Sequence, residues 1–235
     1  NPYMYGGTTG AWSSSGQFTT GTAQGSDVLP FFEGFENVQS QLFYSTPRWL
    51  TGPGYQWSYE NNSSSGRLKS GIWSLNTLSG KGSVSLDAFM VDDYEWNGGG
   101  QYSTNYLTLT LDLTDYTMAT DLELAFDYID HGDEQHAEDK VWIRGSSSDS
   151  WVVIYDWWTN RASTGTVKSV SQLDIDALLA SNGQTVSSTF QVRFGQRDNG
   201  PIFTSTISDG ITLDNIGITG HKTVTWTGAV SSNWN

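Results

Sequence analysis

The segment Tyr106-Leu107-Thr108-Leu109-Thr110-Leu111-Asp112-Leu113 alternates strictly between apolar and polar side chains after its first residue. Successive side chains of an extended chain point to opposite faces, so this stretch predicts a strand with one buried and one solvated side. The same period of two returns in Leu122, Leu124, Phe126 and Tyr128, and in Val141 and Ile143 opposite Trp142 and Arg144. It returns again in Trp151, Val153, Tyr155 and Trp157, in Phe190, Val192 and Phe194, and in Ile216 and Ile218. These segments are short and are separated by Gly, Asn, Asp and Ser clusters, the pattern of an antiparallel sandwich or barrel. Helical spacing is confined to Ser171–Ala180, where Leu173, Leu178 and Leu179 share a side and Asn182-Gly183 supplies a stop. The expected fold is all-β, a two-sheet antiparallel sandwich over residues 28–220 with at most one short helix.

Composition agrees with that expectation. Ser and Thr together occupy 56 of the 235 positions, and only 15% of residues are charged, unlike a Glu/Lys-rich helical protein. The absence of Cys excludes a disulfide framework and any thiolate metal site. No long apolar run exists, so membrane insertion by a helix is not expected. A net charge of −14 repels phosphate backbones, which excludes nucleic acid as the natural partner and favours cations. Residues 1–27 are rich in Gly, Ser and Thr and read as an arm or leader, and residues 221–235 read as a linker or the start of a following module. With no initiator Met at Asn1, the chain reads as a piece of a larger polypeptide, and the Cys-free, aromatic-rich composition suits an exported, extracellular or cell-surface protein.

The acidic residues are unevenly spread, with ten of the 25 between Asp112 and Asp139. A solvated strand face plus a polar loop accounts for most of them. Two other stretches are better placed for a hard cation, which gathers six to eight oxygens from several loops. Phe31-Phe32-Glu33-Gly34-Phe35-Glu36 puts two carboxylates among aromatic residues at the first strong strand, where ionised acids cost energy unless paired or metal-bound. Near the other end, Leu213-Asp214-Asn215-Ile216 sets Asp214 beside the last apolar strand. If the terminal strands pair, Glu36 and Asp214 meet at one end of the sheets, joined by Asp87 from Gly82-Ser83-Val84-Ser85-Leu86-Asp87. Ordinary exposed acids at strand ends are the competing reading.

Taken in order, Phe31–Glu36, Gly82–Leu86, Leu122–Tyr128, Asp139–Ile143 with Ser150-Trp151, and Asp209–Ile216 resemble the domains of the MAM and gingipain-adhesin (cleaved adhesin, choice-of-anchor J) type. The resemblance implies a jelly-roll topology, secretion by a bacterium, a structural Ca²⁺, and adhesion or binding rather than catalysis. The family's acidic first-strand motif falls on Glu33 and Glu36, and its closing motif on Asp214 and Asn215.

No residue set demands catalysis. The chain lacks a Gly-x-Ser-x-Gly elbow, a His-Glu-x-x-His pair and a phosphate loop. The segment from His131 to Asp139, with two imidazoles and several carboxylates, is the best remaining candidate for Zn²⁺ or acid/base work, and a polar loop is its plainer reading. Asp174 and Asp176 have the acid-x-acid spacing of some glycosidases, but no Glu follows and the segment reads as a helix start. Recognition has better material, because sugars stack on aromatic rings. Trp57 with Tyr59, and Trp157-Trp158 followed by Asn160 and Arg161, are the expected ligand-binding residues, against core packing as the alternative. Trp157 and Trp158 are adjacent, so in a strand they face opposite sides. The expected function is a calcium-binding, non-catalytic module that recognises a polysaccharide or a cell-surface protein beside other modules of the same polypeptide. A glycan-active enzyme and a structural spacer are the alternatives.

Overall fold

The computed structural model describes residues 28–36, 49–61, 68–74, 83–90, 103–132, 134–198 and 210–222. The arm at residues 1–27, the tail from residue 223 with its Thr223–Trp226 strand pattern, Asp133 and Asp209 lie outside them.

Among the described residues twelve strands form in chain order: β1 (Phe31–Glu33), β2 (Trp49–Gly52), β3 (Tyr55–Asn61), β4 (Leu68–Ser74), β5 (Val84–Met90), β6 (Ser103–Leu111), β7 (Glu123–Asp130), β8 (Lys140–Arg144), β9 (Val152–Asp156), β10 (Val167–Asp174), β11 (Phe190–Asp198) and β12 (Ile211–Thr219). One sheet runs β10-β7-β12-β5-β4, with β1 also on β12. The other runs β2-β3-β6-β11-β8-β9. All pairs are antiparallel. This is the expected two-sheet jelly-roll sandwich, with sequence-distant strands as neighbours.

The alternation read from the sequence becomes the core. Leu107, Leu109 and Leu111 of β6, Val192 and Phe194 of β11, and Val141 and Ile143 of β8 are buried on the inward side of the second sheet. Leu124, Phe126 and Tyr128 of β7 and Ile211, Leu213, Ile216 and Ile218 of β12 meet them from the first. Aromatic contacts cross between the sheets, with Phe126 5.5 Å from Phe194 and 5.6 Å from Trp157, and Tyr128 4.8 Å from Trp157. Buried rings of this size dominate core energetics, and each edge-to-face pair adds about 0.5–1.5 kcal/mol beyond area burial.

The helix is shorter than its sequence signal. Residues 171–174 continue β10, and the helix α1 covers only Ile175–Ser181. Asp174 decides the boundary, because its side chain accepts from the backbone N–H of Ala177 at 2.9 Å, an N-cap that fixes the first turn three residues further on. Asp176 accepts from the Leu122 N–H at 2.7 Å, so the acid-x-acid pair caps and tethers the helix. Ile175 and Leu179 cover the core, and Gly183 at φ 68° ends the element.

The β8–β9 pair contains a bulge. Val141 faces Tyr155 while Trp142 faces Val153, which leaves Ile154 as the extra residue. Trp151, Val153, Tyr155 and Trp157 therefore do not share a face as their spacing suggests. Val153 is turned outward and 43% exposed, whereas Tyr155 and Trp157 enter the core.

Candidate functional site

The expected residues fall in three places. Trp57 and Tyr59, on the inward side of β3, are each 1% exposed, and Trp157 is 2% exposed. This corrects their expected role, since a ring enclosed on both faces offers nothing to a ligand. Trp57 packs on Phe35 at 5.6 Å and Phe194 at 6.5 Å. Tyr59 donates to Asn105 Oδ1 at 2.7 Å, and Asn105 Nδ2 donates to Gln196 Oε1 at 2.8 Å, a buried polar chain within the sandwich. Trp157 donates its Nε1–H to the Gly195 carbonyl at 2.8 Å.

Trp158, by contrast, is 41% exposed. The Arg161 guanidinium lies 4.4 Å from its ring centroid and binds the carboxylate of Asp130 through Nε at 3.0 Å. Asn160 uses its backbone oxygen as an acceptor for the hydroxyl groups of Tyr128 and Tyr155 and for the ammonium of Lys168. Its side chain donates to the Asp156 carbonyl, so the turn is held by its own bonds. Of the expected ligand residues, exposed Trp158 and half-buried Arg161 form a stacked pair in the turn after β9.

The expected metal ligands are only partly together. β1 does pair with β12, Glu33 facing Ile216, and that antiparallel register directs the chain after Glu33 toward Asp214. β12 bulges between Asp214 and Gly217, with Asn215 at φ 50°. Asp214 is completely buried, and Asn215 donates its amide to Asp127 on β7 at 2.7 Å. Glu33 accepts from the Phe35 N–H at 2.7 Å, and burial pushes its carboxyl above the ordinary glutamate value despite that bond. Glu36 is exposed. Asp87 is elsewhere. Leu86 faces Ile211 and Val84 faces Leu213, so Asp87 and Asp214 lie beyond opposite ends of this ladder, about 13 Å apart at 3.3 Å per residue. Among the described residues no three His, Asp or Glu side chains form a metal cluster.

The acidic loop has structural uses. His131 shares a hydrogen bond with Thr212 at 2.8 Å, whereas His136 lies 3.2 Å from Asp139, so the two imidazoles serve different partners. Asp139 is 4% exposed and accepts from the N–H groups of His136 and Arg197. Burial raises its carboxyl to about 6, against the opposing pull of those bonds.

The most ligand-like surface is one that spacing alone did not single out: the outward side of the second sheet. Register places Ser58, Thr108, Arg193 and Trp142 in one row across β3, β6, β11 and β8, with Gln56, Thr110, Gln191 and Arg144 in the next. Trp142 is half-buried and lies over Gly195, where an added Cβ would stand 2.4 Å from its Cζ3. Only glycine admits the ring there. Tyr106 meets Trp142 edge-on at 5.9 Å. Arg193 stacks on Tyr106 at 4.6 Å and on Trp151 at 4.2 Å, and Arg144 also reaches Trp151 at 4.2 Å. Arg193 Nε donates to Thr108 Oγ1 at 3.2 Å, and Arg144 Nε donates to Gln191 Oε1 at 2.7 Å. Burial pulls both guanidinium groups below the ordinary arginine value and raises the Tyr106 hydroxyl, with Glu138 adding to the latter. Flat rings beside fixed donors and hydroxyl groups suit a ligand with apolar C–H faces rimmed by oxygens. Trp142 and Arg144 sit on the polar parity of a strand, and a Trp in that position was the signal available in the sequence.

No family model matches the sequence, and no curated protein is significantly similar to it. Several solved structures are similar at 10–12% identity. The CBM22-1 xylan-binding domain of Paenibacillus barcinonensis Xyn10C is 12% identical, with 82% of this chain and 94% of that chain covered at a TM-score of 0.39. The family 11 carbohydrate-binding module of the cellulosomal cellulase Lic26A-Cel5E of Clostridium thermocellum is also 12% identical, over 78% and 96%, at a TM-score of 0.35. The mannan-recognising module TmCBM27 is 10% identical, over 76% and 98%, at a TM-score of 0.31.

Proposed function

We propose that this chain is a non-catalytic carbohydrate-binding module that takes a polysaccharide along the outward face of β6, β11 and β8, within a larger secreted or cell-surface protein. One observation carries the reading: Trp142 laid over Gly195, beside Tyr106, with the Arg193 guanidinium held in place at its flank. A ring seated on backbone loses little freedom on binding, and a guanidinium fixed by stacking is already oriented, so both reduce the ordering cost of recognition. The test is affinity electrophoresis and calorimetry against soluble glucans, xylans and mannans. Trp142→Ala is expected to abolish retention while the near-ultraviolet spectrum and cooperative melting persist. Retention unchanged in Trp142→Ala would move the site elsewhere, and reducing-end release from a polysaccharide would replace binding by catalysis.

A structural Ca²⁺ belongs to the same reading. Wholly buried Asp214 and half-buried Glu33 offer hard oxygen donors near the first and last strands, the donor chemistry that Ca²⁺ prefers. Binding there would hold β1 to β12. Excess chelator is expected to lower the melting temperature and added Ca²⁺ to restore it; an unchanged melting temperature would remove the metal from the proposal. Protein adhesion is the second reading, favoured by Phe32, which stands 66% exposed on β1. A Phe32→Ser variant that loses binding to a surface protein but keeps glycan binding would separate the two.

A further inference from the structure

Four described cations sit within 3.6 Å of a carboxylate: Lys140 with Asp156, Arg161 with Asp130, Arg197 with Glu138 and Lys222 with Asp115. Arg144 and Arg193 of the outward face differ. Arg144 donates to Gln191 Oε1 at 2.7 Å and to the Asp149 carbonyl at 3.3 Å, both neutral acceptors. Arg193 donates to the Thr108 hydroxyl, and its ion pair is with Glu60 at 3.9 Å, a carboxylate whose side chain is 56% exposed. The Arg193 side chain is 19% exposed, and at 3.9 Å the solvated Glu60 carboxylate is a long-range partner that leaves guanidinium N–H groups for a closer acceptor. Both guanidinium groups converge on Trp151 at 4.2 Å, so two charges are concentrated on one ring and held there by stacking.

Two like charges brought together on a half-buried surface repel each other, the Glu60 and Asp149 carboxylates offset part of that repulsion, and an anion at contact adds to the offset through the planar fork of N–H donors. The chain as a whole carries −14, which opposes a dense polyanion at long range. An isolated carboxylate on an otherwise neutral chain satisfies both conditions, because the local attraction acts at contact and the long-range repulsion stays small.

Building on the proposed glycan-binding role, we infer that this face selects a neutral polysaccharide bearing isolated uronic acid substituents, with the carboxylate received by N–H groups of Arg144 and Arg193 beside Trp151 and the backbone sugars on Trp142 and Tyr106. Arg144 and Arg193 are then the specificity residues and Trp142 is the platform.

The test compares a glucuronic-acid-substituted xylan with the same polymer after carboxyl reduction, which turns each acid into a neutral sugar and leaves the backbone intact. Calorimetry on the whole chain is expected to show about tenfold weaker binding to the reduced polymer, the order expected for loss of one charge-assisted contact. The R144Q/R193Q variant should bind the two polymers alike. Equal binding of both polymers by the unmodified protein, or a preference that survives R144Q/R193Q, would overturn the inference. Retention of neutral glucan or mannan with no response to either xylan would also overturn it and leave the glycan-binding role standing. Absence of binding to every polymer would remove both.

Discussion

The two faces of the second sheet are built on the same strands and the same register, yet they do opposite work. Inward, Trp57, Leu109, Val192 and Phe194 are at most 1% exposed and close the core. Outward, one residue along each strand, the row Ser58, Thr108, Arg193 and Trp142 holds hydroxyls, a guanidinium and a half-buried ring. The difference teaches that an aromatic residue's role is set by what encloses it. Trp157 is enclosed by Phe126, Tyr128 and Tyr155 and donates to Gly195, whereas Trp142 rests on the same glycine from the other side. Gly195 is thus shared by core and surface.

The largest effect is expected on the inward face. Trp157→Ala is expected to lose about 3–5 kcal/mol of stability, since a cavity opens beside three rings and the Gly195 carbonyl loses its donor; chemical denaturation measures it, and a loss under about 1 kcal/mol would contradict the core assignment. Gly195→Ala should come next, because the added Cβ meets Trp142 and, at 2.6 Å, the Glu138 carbonyl. Displacement of ring and backbone should cost about 1–3 kcal/mol and weaken glycan binding together, and a variant with wild-type affinity would show that the seat of Trp142 is unimportant.

A third test uses pH, because Asp139, anchored to the Arg197 N–H, joins the acidic loop to the edge of the outward face. Folded Asp139 keeps its proton to about pH 6, above the unfolded value of 3.8. Between about pH 4 and 6 the folded state therefore binds more protons than the unfolded one, and stability falls as pH rises, by on the order of 2 kcal/mol from this residue. Glu33, also raised by burial, contributes a fall of the same sign. Asp139→Asn should flatten the stability profile across that window, and an unaltered slope would assign the proton elsewhere. The smallest effect is expected from Trp158→Ala. An exposed ring stacked by Arg161 should cost under about 1 kcal/mol and leave glycan affinity unchanged, whereas lost binding would shift the platform to the turn after β9.

The strands were legible because alternation is a local property. Leu107, Leu109 and Leu111, or Leu124, Phe126 and Tyr128, carry their burial in their spacing. The pairing of β1 with β12 also followed, as terminal strands of a sandwich commonly meet. The helix start was misplaced because Asp174 acts as a cap, a choice between two conformations of the same residues. Spacing puts Trp151, Val153, Tyr155 and Trp157 on one face, whereas one extra residue, Ile154, inverts parity and leaves no trace in composition. Asp87 and Asp214 lie apart because the shift of β5 along β12 is a property of the register, which residue type and spacing within either strand do not carry.

By itself, then, the sequence determined the class of fold, the inward residues of most strands, the absence of disulfides and the acidic balance, since each depends on residue type or on spacing within a strand. Only the tertiary structure decided which rings are enclosed and which are offered. Burial of Trp57 and exposure of Trp158 depend on the partner sheet, and the meeting of Arg144, Arg193, Trp151 and Tyr106 depends on the register of strands that are far apart in the chain.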